Sequence, residues 1–106
     1  MNVLEQTIVR RFKALLGRGL TAYRLILFGS RARGDPDVYS DMDILVILDG
    51  ECDEKTRQFV SDCAWEAGYE QGGVIVPVVF SKREWEDGPE RFSLLAKAVQ
   101  QEGIVL

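Results

Sequence analysis

Two short stretches hold the residues best suited to chemistry. Gly29-Ser30 closes an apolar run, Tyr23 to Phe28, and ten residues later Asp41-Met42-Asp43 opens another, Ile44 to Leu48. A glycine at a strand end lets an anion approach the backbone, and Ser30 adds a hydroxyl donor. The amides and dipole of a following helical turn also favour negative charge. Arg31 and Arg33 stand close by as charge partners for a phosphate. Gly29 to Gly34 has the G-x-x-x-x-G spacing of a Walker A loop, but Asp35-Pro36 follows where Lys-Ser/Thr is required, which excludes that loop.

The carboxylates add a second chemistry. Side chains at i and i+2 of a strand share a face, so Asp41 and Asp43 project together. Two such groups repel unless a cation neutralises them or one takes up a proton. A divalent ion held between them would also bind triphosphate oxygens, the arrangement that serves phosphoryl and nucleotidyl transfer. The pair precedes its apolar run, whereas the D-x-D of a phosphatase nucleophile or a sugar-nucleotide site commonly ends one. An EF-hand loop is excluded because its glycine and bidentate glutamate are missing at their offsets. The chain has no histidine, so general-base work falls to carboxylates, and any metal is a hard one such as Mg²⁺.

These groups need elements to position them. Leu4, Ile8, Phe12 and Leu15 recur at helical spacing, which predicts an amphipathic helix over residues 2–16 that Gly17 and Gly19 stop. Tyr23 to Phe28 reads as the first strand, and Ser30 to Arg33 as one turn of a short helix. The unbroken run Asp43 to Leu48 reads as a central strand covered on both faces. A second helix is expected over 54–69, with Phe59, Cys63 and Ala67 on one stripe. Val74 to Phe80 reads as a third strand, placed at an edge or bulged by Pro77. Ser81 to Glu84 matches a capping box that starts a short helix. Pro89 is expected to open a last helix with Phe92, Leu95, Ala96 and Val99 inward, and Ile104 to Leu106 a short final strand. The fold class is α/β (α+β), with helices packed on a small mixed sheet.

The bulk properties narrow the function classes. A length of 106 residues suits one domain, 1–106, with a real core. The formal charge of −4 is uneven: residues 1–34 carry seven Lys/Arg against Glu5 alone, and the remainder is net acidic. That balance argues against non-specific nucleic-acid binding and leaves a basic excess for a phosphate ligand. No apolar run reaches membrane-spanning length, and Glu5, Arg10 and Arg11 interrupt the one candidate signal-peptide region, so the expected location is the cytoplasm. Cys52 and Cys63 make no metal-type pair, and Cys63 suits a buried helix position. Packing is the expected role of Trp65 and Trp85, and a plain loop position that of Tyr39. Asp49, Glu51, Asp53 and Glu54 read as a solvated turn and helix N-terminus.

Phe28-Gly29-Ser30-Arg31-Ala32-Arg33-Gly34 followed by Ser40-Asp41-Met42-Asp43 resembles the minimal nucleotidyltransferases of the DNA polymerase β superfamily. Their signature, Gly-Ser, ten residues, Asp-x-Asp, is matched without a gap. The resemblance implies nucleotidyl transfer, adenylyl above all, from a nucleoside triphosphate. It assigns two Mg²⁺ ions to Asp41 and Asp43 and the phosphates to Gly29 and Ser30. It further implies a helical HEPN-type protein partner, for which such domains act as antitoxins by modifying a tyrosine of the toxin or by binding it. The superfamily usually draws a third carboxylate from a later strand. Val74 to Phe80 contains none, Pro77 lies about where it is expected, and Glu70 is the nearest acid in sequence. Two readings follow: an enzyme, or a non-catalytic binding module that keeps the nucleotide and metal site.

Overall fold

The computed structural model describes residues 1–34, 41–89 and 93–106. Along the chain lie α1 (Val3–Leu16), β1 (Tyr23–Phe28), β2 (Met42–Leu48), α2 (Glu54–Tyr69), β3 (Ile75–Ser81), α3 (Lys82–Asp87), α4 (Leu94–Glu102) and β4 (Ile104–Val105). The four strands form one mixed sheet in the order β3-β2-β1-β4. β2 runs antiparallel to β1 and parallel to β3, while β4 pairs antiparallel with β1.

Strand alternation sorts the core into two layers. Leu25, Leu27, Ile44, Val46 and Leu48 meet Phe12, Leu16, Val60 and Ala64 of α1 and α2 on one face. On the other, Ile26, Leu45 and Ile47 meet Val99 and Leu95 of α4 and Trp85 of α3. The central strand is therefore covered on both sides, and its apolar residues from Ile44 to Leu48 are all buried, as its unbroken run required.

β3 lies at the sheet edge, which resolves the proline. The Met42 N–H donates to the Val74 carbonyl at 2.9 Å, so the backbone groups of alternate residues from Val74 face β2. Pro77 then faces outward, where a missing N–H costs no ladder bond. Arg57 Nη1 donates to the outward carbonyl of Val79 at 2.8 Å. Proline and a capping guanidinium together blunt an edge that would otherwise pair with another strand.

Two expectations change. The last helix starts at Leu94 rather than Pro89, because the Ser93 hydroxyl accepts from the Ala96 N–H at 3.1 Å and caps it; Phe92 lies outside the described residues. In α1 the buried side is Glu5, Ile8, Val9, Phe12, Leu15 and Leu16, and Leu4 is exposed. The helix is rotated so that an acid, not a leucine, faces inward near its start. Elsewhere the caps follow the sequence: Asp53 caps α2, and the Ser81–Glu84 box is formed in full. Thr56 donates to Asp53 and holds that exposed carboxyl below its usual range. Among the described residues no helix is long and apolar enough to cross a membrane.

Candidate active site

The site forms where β1 ends and β2 begins. Phe28 stands opposite Asp43 in the antiparallel register, so Gly29 turns away directly beside that aspartate. Gly29 has φ +80°, and a Cβ there would collide with Asp43 Oδ2. Glycine is thus demanded twice, by the backbone and by the carboxylate lying against it. The Gly29 carbonyl accepts from the N–H groups of both Ala32 and Arg33 at 3.1 Å, winding Ser30 to Arg33 into one helical turn. Gly34, at φ +73°, ends it.

Met42 fixes where the acids point. Its side chain is buried among the α1–α2 core, which sends its strand neighbour Asp43 to the opposite face, and Asp41, just ahead of the strand, lies near enough for its charge to act on Asp43. Asp41 is exposed and Asp43 half-buried. Burial raises the Asp43 carboxyl above the usual carboxylate range, the charge of Asp41 raises it further, and Arg33 pulls it back. The donor set fits Mg²⁺: two hard oxygen donors suit an ion that keeps waters and takes its other ligands from phosphates. Among the described residues no cluster of three or more acidic, cysteine or histidine side chains could hold a metal.

The two arginines differ. Arg33 is exposed, with its side chain 53% accessible, and meets Glu102 Oε2 at 3.0 Å. Arg31 is 14% accessible and faces the buried Glu5 Oε2 at 3.5 Å. An exposed pair is worth roughly 0–1 kcal/mol and exchanges partners readily; a buried one does not, since separating it strands a charge. Of the two, Arg33 therefore gives up its partner at the smaller cost.

On the far side of β2, Val76 pairs with Asp43 and Pro77 with Ile44. The position beside Asp43 thus belongs to Val76, which carries no carboxylate. Glu70 is the exposed C-cap of α2, and among the described residues the charges acting on Asp43 are those of Asp41 and Arg33. Trp85 packs against Phe80 at 5.6 Å between ring centres, whereas Trp65 is 66% exposed and stacks on Tyr69 at 4.7 Å rather than entering a core. Tyr39 and Ser40 lie outside the described residues. Sequence reasoning misses Glu5 and Glu102 as parts of this neighbourhood. Glu5 does leave a signal, as the lone acid among seven basic residues and three positions after Asn2, a capping-box offset.

A helix-backed mixed sheet with this turn and paired aspartates belongs to a known class. Residues 6–103 match the nucleotidyltransferase domain family, and the chain is a member of it. It is 36% identical over 84 residues to Putative protein adenylyltransferase MJ0141 of Methanocaldococcus jannaschii, covering 77% of this chain and 83% of the relative. Two solved structures share its fold, each with a TM-score of 0.62 over 91% of this chain and 69% of theirs. One is a toxin–antitoxin with AMP-PNP, 20% identical. The other is a mutant of the toxin–antitoxin MntA-HpeT, 18% identical.

Proposed function

We propose that the chain transfers an adenylyl group from ATP to a protein partner, a helical HEPN-type toxin whose antitoxin it is. The observation that carries the reading is the juxtaposition of the Gly29–Ser30 turn with Asp43 through the Phe28–Asp43 register. The motif resemblance, the adenylyltransferase relative and the toxin–antitoxin neighbours support it.

On this reading the turn's amides and the Ser30 hydroxyl hold the β- and γ-phosphates, and Arg33 leaves Glu102 to join them. Asp41 and Asp43 would hold Mg²⁺, which when bound neutralises charge on the α-phosphate and the departing pyrophosphate. The acceptor's hydroxyl oxygen bonds to the α-phosphorus as the bond to pyrophosphate breaks. Its proton finds no carboxylate at Val76 and passes to water or to a partner group. The cytoplasm is the compartment this reading requires, and 1–106 would act as one domain.

Label from α-labelled ATP is expected on the protein encoded beside this chain, in the presence of Mg²⁺. No transfer from any of the four nucleotides would overturn the enzymatic reading. The uncharged Val76 beside Asp43 favours a second one, a non-catalytic antitoxin. In that case Asp41→Ala with Asp43→Ala still binds and neutralises the partner without any transfer by the parent chain.

A further inference from the structure

Glu5 has no part in the chemistry above, yet it is the one charged side chain buried among the described residues, 5% exposed. Its place in a capping box does not explain this. Its Oε1 accepts from the Asn2 N–H at 2.9 Å, and the Glu5 N–H donates to Asn2 Oδ1 at 2.8 Å. The box at Ser81–Glu84 makes the same two bonds with a glutamate whose side chain is 48% accessible. A capping glutamate therefore needs no burial.

The second oxygen supplies the reason. Glu5 Oε2 is buried without a hydrogen-bond donor and faces Arg31 Nη1 at 3.5 Å. Removing a carboxylate from water costs several kcal/mol, which an opposed guanidinium can offset. Arg31 sits in the turn after Gly29-Ser30, and its neighbour Ala32 packs on the α1–α2 core. The start of α1 thus fixes the turn at two adjacent residues, and the Glu5 carboxylate is the electrostatic half of that hold.

We infer that Glu5 is a positioning residue for the phosphate turn, acting through Arg31; this rests on the nucleotide reading given above. Arg31 then braces the turn, while Arg33 meets the ligand. Small misplacements of a binding group are costly, and loss of an outer-shell support typically weakens a site 10–100-fold.

The test uses Glu5→Gln, which keeps the capping box because glutamine serves at that position and removes only the charge. Calorimetry with Mg-ATP is run on the parent chain, Glu5→Gln, Arg31→Met and the double variant, with folding followed by circular dichroism. The Kd is expected to rise about tenfold in each single variant and no further in the double. Where transfer is measurable, KM rises with it and kcat changes little. A Glu5→Gln chain that melts earlier but binds as the parent does would overturn the inference, as would additive losses. If Glu5→Gln fails to fold, Glu5→Gln with Arg31→Met removes both buried charges; parental affinity there overturns the inference and weakened affinity upholds it. A parent chain that binds no nucleotide fails the nucleotide reading itself, a separate outcome visible in the parent titration alone.

Discussion

Asp43→Asn is expected to lower nucleotidyl transfer by about 10²–10³-fold, the loss that follows removal of one charge-stabilising group, and to raise the melting temperature. The two effects share one cause. The carboxyl of Asp43 is pushed up by burial and by Asp41, more than Arg33 offsets. A carboxyl whose pKa is higher in the folded than in the unfolded chain favours folding when protonated. Its contribution is present in full below the unfolded value of 3.8 and is lost as pH rises through the raised folded value. Near neutrality the ionised group therefore works against the fold, and asparagine removes that penalty with little change of shape. Thermal melts of the parent between pH 3 and 7, set against Asp43→Asn, should show the variant's advantage growing as pH rises. An Asp43→Asn chain that melts lower at pH 7, or that transfers label at the parental rate, contradicts the placement of this residue. Trading stability for a charged site is common where function needs uncompensated groups.

Gly29→Ala should be nearly as damaging, for a reason that a control isolates. The left-handed backbone costs a non-glycine residue about 1–2 kcal/mol. Gly34 has a similar φ, +73° against +80°, but a Cβ there meets nothing within 4 Å. Both alanine variants therefore carry the backbone strain, while the Gly29 variant alone must also displace Asp43. In a domain of this size each kcal/mol lowers the melting temperature by about 4–8 °C. Both variants are expected to melt lower, with Gly29→Ala also losing Mg-ATP binding by at least about tenfold, since on the proposed reading Asp43 must keep its place to share an ion with Asp41. Equal nucleotide affinities in the two variants would show that the contact between Gly29 and Asp43 is incidental.

Much of the geometry around Gly29 and Asp43 is legible in the sequence because its parts are local. Strand alternation predicts that Asp41 and Asp43 share a face, and the burial of Met42 shows why Asp43 lies on the one opposite α1 and α2. Pro77, whose ring cannot donate to a ladder, leaves β3 an edge position or a bulge, and the sheet order settles on the edge. What the sequence conceals are relations across distance. Periodicity assigns Leu4 to the core, since a helix pattern counts apolar residues and has no means of foreseeing that Glu5 faces inward opposite Arg31. Pro89 has the chemistry of a helix start, but Ser93 supplies a cap that competes better. That Val76, and not Pro77, stands beside Asp43 is also hidden, because register between β2 and β3 is set by pairing that no single strand encodes. The partnership of Arg33 with Glu102 spans 69 positions and depends on the final helix returning across the sheet.

The turn and the two aspartates are held to form one nucleotide and metal site. Titration calorimetry with ATP in Mg²⁺ and in EDTA, on the parent and on Asp41→Ala with Asp43→Ala, addresses that directly. The expected result is saturable binding in Mg²⁺ by the parent, a large loss in EDTA, and the same loss in the double variant whether or not Mg²⁺ is present. ATP binding that is indifferent to Mg²⁺ and to the two aspartates, or no binding by the parent, would contradict it.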